Sequence, residues 1–188
     1  MTIRENIRPG GRSARVQASV HQAVRGLLST MDRSDVTIPL IATEAGVTPS
    51  TIYRRWGDLQ ELLADVAVER LRPDVAPKDT GSARTDLMQW AEQYADEMAS
   101  GIGRAMIRDV LASVGADTGN AGKCCSYTRE QLQIIAERAR DRGEDFPDVE
   151  TVIDTVVAPI MYRILFDDVP PASEKVLALV EGMMPQQG

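Results

Sequence analysis

The side chains best suited to chemistry lie close together between Thr48 and Trp56, where hydroxyl, guanidinium and aromatic groups follow one another. Hydroxyl and guanidinium groups are hydrogen-bond donors that suit phosphate oxygens and the edges of bases. Covalent chemistry has less support. The single histidine leaves no clustered His and Cys set for a metal, and the sequence has neither a Gly-x-Ser-x-Gly elbow nor a phosphate-cradling Gly-Lys-Ser/Thr loop. We therefore expect a binding protein without a metal or cofactor, and not an enzyme.

The formal net charge of −7 is distributed unevenly along the 188 residues. Residues 1–57 contain eight arginines, no lysine and four acidic residues, a formal charge of +4, whereas the remainder carries −11. A basic segment on an acidic body is typical of a nucleic-acid-binding head attached to a domain with another task. A solvated surface of uneven composition would show the same asymmetry, so the charge alone leaves both interpretations open.

Neither a membrane span nor a secretory signal is visible. No apolar run approaches the roughly 20 residues that a span needs, and the N-terminus is polar and Arg-rich. We expect a cytoplasmic protein that does not contact a membrane. Cys124 and Cys125 are adjacent, which does not suit a disulfide framework. We favour an incidental pair of thiols over a redox sensor.

Apolar residues recur at helical spacing along the whole chain, and no segment shows the alternation of a half-buried strand. The sequence therefore predicts an all-α fold of about nine helices. The clearest break is residues 72–82 (RPDVAPKDTGS), which contain two prolines and a glycine. The lone histidine, His21, falls on the first helix, where we expect it at the surface or at the boundary between surface and core.

Residues 36–63 (VTIPLIATEAGVTPSTIYRRWGDLQELL) have the pattern of two short helices joined by a sharp turn. Thr37 can cap the first helix, and Gly46 suits the left-handed backbone that ends it. Thr48 can cap the second helix and precedes Pro49, the residue type favoured at a first helical position. This arrangement is typical of a helix-turn-helix, whose second helix enters the major groove of DNA.

The same segment resembles the signature of the TetR family of transcriptional regulators over about residues 15–70. The features that carry the resemblance are two threonine-capped helices, the turn between them, an aromatic pair and a Leu-Leu helix: Thr37, Ala45-Gly46-Val47, Thr48, Tyr53 with Trp56, and Leu62-Leu63. Residues 156–169 (VVAPIMYRILFDDV) also resemble the end of an actinobacterial-style sensor domain of this family. One departure is Leu59, which stands where the family often has a phosphate-binding lysine.

The resemblance implies a three-helix helix-turn-helix DNA-binding domain followed by a larger helical ligand-binding and dimerisation domain. We place a flexible Arg-rich arm at 1–14, the DNA-binding domain at 15–57, a connecting helix at 58–72, and the effector-binding and dimerisation domain at 73–188. It also implies a homodimer joined through its last two helices. The expected activity is repression, released from a palindromic operator on double-stranded DNA when a small-molecule effector binds.

The expected DNA contacts are the helix caps and the polar or aromatic residues of the second short helix: Thr37, Thr48, Pro49, Ser50, Thr51, Tyr53, Arg54, Arg55 and Trp56. The resemblance implies that Tyr53 donates its hydroxyl hydrogen to a phosphate, with core packing as the alternative. Arg54 and Arg55 either read bases or bind phosphates. The threonines can serve as caps alone, and Trp56 can be structural.

The candidate effector pocket consists of apolar and amphipathic residues at helical spacing: Trp90, Tyr94, Met98, Met106, Val110, Tyr127, Ile135 and Tyr162. A largely apolar lining with few polar groups is typical of a ligand site, although such stripes also form ordinary cores. An effector of this pocket would be apolar or amphipathic, and methionines would let the cavity adapt to it.

The last two helices are apolar on more than one face, which indicates burial on several sides and hence a dimer seam. The expected interface residues are Val149, Val152, Ile153, Val156, Ile160, Arg163, Ile164, Val176, Leu177, Val180 and Met183. Pro159 lies inside this pattern and should kink its helix or open one hydrogen bond. Two other classes remain as alternatives: a helical protein-interaction or scaffold module, and an all-α enzyme acting through a carboxylate pair.

Overall fold

The computed structural model describes residues 11–113, 119–167 and 169–184. Within these ranges the chain is all helical and contains no strand, so the predicted fold class is confirmed. The N-terminal helices are α1 (Arg12–Thr30), a 3₁₀ turn (Arg33–Asp35), α2 (Ile38–Ala45), α3 (Pro49–Trp56) and α4 (Leu59–Leu71). They are followed by α5 (Ala83–Ala99), α6 (Gly101–Ala112) and α7 (Asn120–Arg142). Helix α8 consists of Val149–Val152, a π-helical turn at Ile153–Val157, and Ala158–Phe166, and α9 is Ser173–Met183.

Polar residues fix where several helices begin. The Thr37 hydroxyl accepts a weak hydrogen bond from the Leu40 amide at 3.5 Å, and the Asp58 carboxylate accepts one from the Glu61 amide at 2.9 Å. Thr48 occupies the predicted N-cap position of α3, but its hydroxyl makes no capping hydrogen bond to a backbone amide and instead bonds the hydroxyls of Ser50 and Thr51 at 2.9 and 3.0 Å. Gly46 has φ +67° and ends α2 in the left-handed conformation that the turn requires.

Two apolar clusters organise the described chain. The first joins α1 to α4 around fully buried residues such as Val24, Ile41 and Ile52. The second joins α5, α6, α7, α8 and α9 around fully buried residues such as Leu87 and Leu132. Full burial of an aliphatic side chain of this size contributes about 1.5–3 kcal/mol, so each cluster is a major source of stability for the helices that it joins.

A small third cluster connects these two parts. Ala67 and Val68 of α4 pack against Val110 of α6, with Met106 and Tyr127 at its edge. Helix α4 therefore contributes to both parts of the molecule and lies where we expect the connecting helix. The proposed domain boundaries themselves stay predictions, and of the proposed arm 1–14 only residues from 11 onward are described, with α1 beginning at Arg12.

The segment between α4 and α5, residues 72–81, crosses α7 without regular secondary structure; we name it the strap. Three α7 side chains hold it. Gln131 donates to the Val75 carbonyl at 3.3 Å, and Arg138 donates to the Pro77 carbonyl at 2.7 Å. Arg142 pairs with Asp79 at 3.2 Å. The strap is thus a fixed part of the structure, although its sequence has no periodic pattern.

Helix α8 accommodates Pro159 by a local change of hydrogen-bond register. Proline has no amide hydrogen to donate, so one bond of the regular ladder is lost. The turn just before it widens, and the Ala158 amide donates to the Ile153 carbonyl five residues back.

No helix within the described ranges is both long and apolar enough to cross a membrane.

Helices α5 and α6 meet at Ser100 in a corner that only glycine fits. A Cβ atom on Gly103 would overlap the carbonyl oxygen of Glu97 and lie 2.8 Å from that of Met98. Both obstacles are backbone atoms of the preceding helix, so they cannot move aside as a flexible side chain could. The corner sets the angle at which α6 approaches α4.

We expect Gly103→Ala to lower the free energy of unfolding by about 1–3 kcal/mol, because the added methyl group must displace backbone. Gly122→Ala on α7 is the matched control: it has open space, and alanine favours a helix by up to about 1 kcal/mol. Urea unfolding followed by circular dichroism measures both. A Gly103→Ala protein as stable as the wild type would show that the corner can relax.

Candidate nucleic-acid interface and effector cavity

Helix α3 separates a polar outer face from an apolar inner one. Ile52 is fully buried in the first core cluster, whereas Tyr53 is 51% exposed. Thr48, Pro49, Ser50 and Arg54 are also exposed, and Thr51 is half-buried. Short hydroxyls, a phenol and a guanidinium therefore share one surface, the arrangement that suits a recognition helix. Their contacts with DNA stay predictions.

Trp56 does not belong to that surface. It is 6% exposed, and its indole N–H donates to the Asp65 carboxylate at 2.8 Å. The inward position follows from the helix period, since Trp56 lies four residues after Ile52 and shares its face. This corrects the expectation that Trp56 contacts DNA. Thr37, by contrast, is exposed at the start of α2.

The two arginines of α3 have different surroundings. The Arg55 guanidinium donates to the backbone carbonyl and the hydroxyl of Ser13 at 2.9 and 2.8 Å, and also to Gln17. It lies 5.1 Å from the centre of the Trp56 ring. Arg54 makes no hydrogen bond or ion pair with the described part of the chain. Arg54 is therefore the arginine available to a partner, and Arg55 ties α3 to the first turn of α1.

Asp65 on α4 collects donors from three helices. Besides Trp56 of α3, its carboxylate lies 2.9 Å from His21 Nε2 of α1 and 3.8 Å from Lys123 Nζ of α7. His21 is 3% exposed, which corrects its expected place at the surface. We call helices α1 to α4 the head and helices α5 to α9 the body. A second link joins these two parts: Arg33, in the 3₁₀ turn of the head, pairs with the buried carboxylate of Asp109 on α6.

A cavity of about 460 Å³ lies between the end of α4, the strap, and helices α5, α6 and α7. Five of the eight predicted pocket residues line it: Trp90, Tyr94, Met98, Met106 and Tyr127. The rings of Trp90 and Tyr94 are stacked, with centroids 5.1 Å apart and planes 19° from parallel. Their role in binding an effector stays a prediction.

The other three predicted pocket residues lie elsewhere. Ile135 is fully buried in the second core cluster, and Val110 packs in the small cluster against α4. Tyr162 is 63% exposed on α8. Helical spacing identifies all three as apolar positions on a face, but it does not distinguish a cavity wall from a filled core or an outer surface.

Sequence reasoning missed a large part of the cavity wall, because the strap has no periodicity. The strap residues from Arg72 to Lys78 line the cavity, together with Arg70 at the end of α4. Cys124 also lines it, and burial together with the neighbouring Cys125 raises the pKa of its thiol. A raised pKa disfavours the reactive thiolate, which weakens the redox alternative.

Helices α8 and α9 turn most of the predicted interface residues inward. Six of these residues are buried in the protomer's own core, which corrects their expected place at a dimer seam: Val152, Val156, Ile160, Ile164, Val176 and Val180. Val149, Ile153, Leu177 and Met183 are half-buried. Arg163 is exposed and pairs with Asp167 at 3.2 Å. The sequence of these helices is apolar on two faces. One face packs into the protomer's own core, and a different face points outward.

That outer face of α8 is itself apolar. Tyr162 and Phe166 are 63% and 71% exposed, and their ring centroids lie 5.0 Å apart. Ala158 and Leu165 are exposed beside them. These four residues follow helical spacing along one stripe, which we name the outer stripe. An exposed apolar patch of this kind is a candidate interaction surface.

Comparison with known families decides the identity of the chain. The family described as "Tetracyclin repressor-like, C-terminal domain" matches residues 77–183, and that described as "Bacterial regulatory proteins, tetR family" matches residues 25–66. The chain belongs to the TetR family of transcriptional regulators. The resemblance seen in the sequence is thereby confirmed, and the chain is a DNA-binding regulator of the helix-turn-helix type.

Relatives and solved structures agree with this assignment. The uncharacterized HTH-type transcriptional regulator Rv1556 of Mycobacterium tuberculosis is 27% identical over 154 residues, 79% of this chain and 76% of that protein. The crystal structure of the TetR family transcription regulator SCO0332 is 26% identical, with a TM-score of 0.67, and the match covers 90% of this chain and 99% of that one. FadR of Thermus thermophilus, solved in complex with lauroyl-CoA, shares the fold at 16% identity and a TM-score of 0.62, covering 92% and 97% of the two chains.

In this TetR-family regulator the charge of Asp65 stabilises the head. Burial opposes ionisation, but the hydrogen bonds from His21 and Trp56 and the charges of His21 and Lys123 outweigh it, so the pKa of Asp65 lies below its usual 3.8. A lowered folded-state pKa means that the stabilisation is complete above the unfolded value. It is lost as the pH falls through the folded value.

We expect Asp65→Asn to lower the free energy of unfolding by about 1–3 kcal/mol near neutral pH, because buried donors lose a charged acceptor. The difference from the wild type should shrink as the pH falls from about 4 through the lowered pKa of Asp65, below which the wild-type carboxylate is protonated as well. Urea unfolding at a series of pH values measures this. Asp141→Asn, at an exposed carboxylate of α7, is the control and should match the wild type. A difference that stays constant with pH would contradict the role of the charge.

Proposed function

We propose that a homodimer of this regulator represses transcription by holding two copies of α3 in successive major grooves of a palindromic operator. The observation that carries the proposal is the separation of faces on α3, where Ile52 and Trp56 anchor the helix and Ser50, Tyr53 and Arg54 stay exposed. Two such helices in a dimer would lie about 34–36 Å apart, one turn of DNA.

Within that site the residues take different roles. Arg54 is our candidate for a guanine contact, because its guanidinium makes no bond with the described part of the chain and Arg is the commonest reader of that base. Tyr53 and Ser50 donate hydroxyl hydrogens to phosphates. The other contacts come from the N-terminal ends of the two helices: Thr48, Pro49 and Thr51 at the start of α3, and Thr37 at the start of α2. Arg55 acts indirectly, by fixing α3 against Ser13 and Gln17 of α1.

The dimer forms through α8 and α9, with the outer stripe at its centre. A second copy is the occupant that fits, since a two-fold axis sets an apolar stripe against its own image. Burial of Tyr162 and Phe166 would remove two large aromatic side chains from water in each protomer. Arg163 and Asp167, which pair with each other, lie at the rim.

Binding of a small apolar or amphipathic effector in the cavity releases the regulator from the operator. The cavity wall includes the end of α4, and α4 holds the head through Asp65. Helix α6 borders the cavity as well and pairs with the head through Asp109 and Arg33. An effector that fits one arrangement of α4 and α6 better than the other changes DNA affinity by that difference in binding free energy.

We expect Arg54→Ala to lower the affinity for the operator by about 10- to 100-fold, the cost of losing one bidentate base contact. The measurement is the anisotropy of dye-labelled DNA from upstream of the regulator's own gene, at several salt concentrations, beside an unrelated duplex. Arg140→Ala, which removes a cation from the exposed face of α7, is the control and should bind as the wild type does. Equal affinity of the wild type for both duplexes would overturn sequence-specific binding.

We expect the double variant Tyr162→Asp, Phe166→Asp to be a folded monomer, because four carboxylates would meet at the centre of the interface. Light scattering after size exclusion gives the mass, and circular dichroism checks the fold. Leu40→Asp, an exposed leucine of α2, is the control and should stay dimeric. A double variant that is still a dimer would place the interface elsewhere.

A further inference from the structure

We propose that the cavity selects a flat aromatic ligand that carries an anionic group. The inference rests on the effector site proposed above and names the chemistry of its ligand. Two features of the wall carry it: a ready-made aromatic stack on one side and a set of cations on the other.

The aromatic side of the cavity is built by consecutive turns of α5. Trp90 and Tyr94 stack nearly parallel, with 5.1 Å between centroids, and both line the cavity. The Tyr94 hydroxyl is held by Thr128 of α7, which keeps the phenol ring in place. A flat ring entering the cavity can extend this stack, with a gain beyond the burial of its area. Met98 and Met106 supply adaptable contacts around it.

The cations belong to the strap and its approach. Arg70 and Arg72 precede the strap's contacts with α7, and Lys78 lies between Pro77 and Asp79, which α7 holds; all three cations line the cavity. None of these three makes a hydrogen bond or ion pair within the described residues, unlike Arg138 and Arg142, which hold the strap to α7.

The wall also carries two carboxylates, Glu97 and Asp74, so its cations outnumber its anions by one. Glu97 accepts a hydrogen bond from Gln93 at 2.8 Å, and Asp74 is an exposed strap residue. The net charge of the wall is therefore positive, which disfavours a cationic ligand. An anionic group on the ligand would meet three donors whose charges are available to it.

The test uses four small probes with the full-length protein, titrated by calorimetry. Three share the naphthalene ring system and differ in charge: 2-naphthoate, the neutral 2-naphthalenemethanol, and the cationic 2-naphthylmethylammonium. The fourth, cyclohexanecarboxylate, keeps the anion without the aromatic ring. We expect 2-naphthoate to bind most tightly. Each of the other three probes should bind at least about tenfold more weakly.

The double variant Arg72→Gln, Lys78→Gln should lose about tenfold in affinity for 2-naphthoate while its affinity for the neutral alcohol stays the same. Arg140→Gln, outside the cavity, is the matched control and should bind both probes as the wild type does. Because the neutral probe is measured on the same variant, a general loss of structure would be visible as a loss of both affinities.

Each outcome bears on one claim. Equal binding of the neutral or cationic naphthalene overturns the anionic preference, and equal binding of the cyclohexane acid overturns the aromatic one. Absence of binding by every probe, with operator binding intact, overturns the ligand class and leaves the DNA-binding proposal standing. If 2-naphthoate binds in the expected order but operator affinity is unchanged, the ligand class is supported and release by the effector is overturned.

Discussion

The carboxylate of Asp65 is the constraint on which the head of this regulator depends. It accepts from the Trp56 indole of α3 and lies within 2.9 Å of the His21 imidazole of α1. Both donors are buried, and a buried donor without an acceptor costs about 1–3 kcal/mol. The recognition helix therefore cannot rotate away from α4 without leaving a polar group unpaired. Helix α4 therefore sets the orientation of the outer face of α3, which carries Tyr53 and Arg54.

Helix α4 carries this constraint into the body. Its later residues Ala67 and Val68 pack against Val110 of α6, and its last turn enters the strap that walls the cavity. The ion pair of Arg33 with Asp109 ties the head to α6 independently. Coupling free energies in regulators are about 1–3 kcal/mol, comparable to one such buried contact. Small shifts of α4 against α6 are therefore large enough to matter at the DNA.

The parts predicted well from sequence are those with local signals. The cap at Thr37, the glycine turn at Gly46 and the buried and exposed faces of α3 are fixed within a few residues, and spacing reveals them. The burial of His21 could not be predicted in this way, because its partner Asp65 lies 44 residues away and no residue near His21 indicates the pairing.

Periodicity also cannot say what an apolar face packs against. Ile160 and Tyr162 lie on the same apolar helix, yet one fills the protomer core and the other faces outward. Trp90 and Ile135 likewise lie in similar apolar stripes of the sequence, although Trp90 lines the cavity described above and Ile135 is buried in the second core cluster. The strap shows the opposite failure, since a segment without any pattern supplies much of that cavity's wall.

One of the chain's two tryptophans lies in the helix-turn-helix head and the other at the cavity, so the protein carries a fluorescent reporter in each part. The Trp56 indole is bound to a carboxylate under the recognition helix, whereas Trp90 is stacked on Tyr94 at the cavity. Their emission should therefore differ in wavelength and in quenching. With one replaced by phenylalanine, the remaining indole would follow its own half, and the order in which head and cavity respond could be timed without any label.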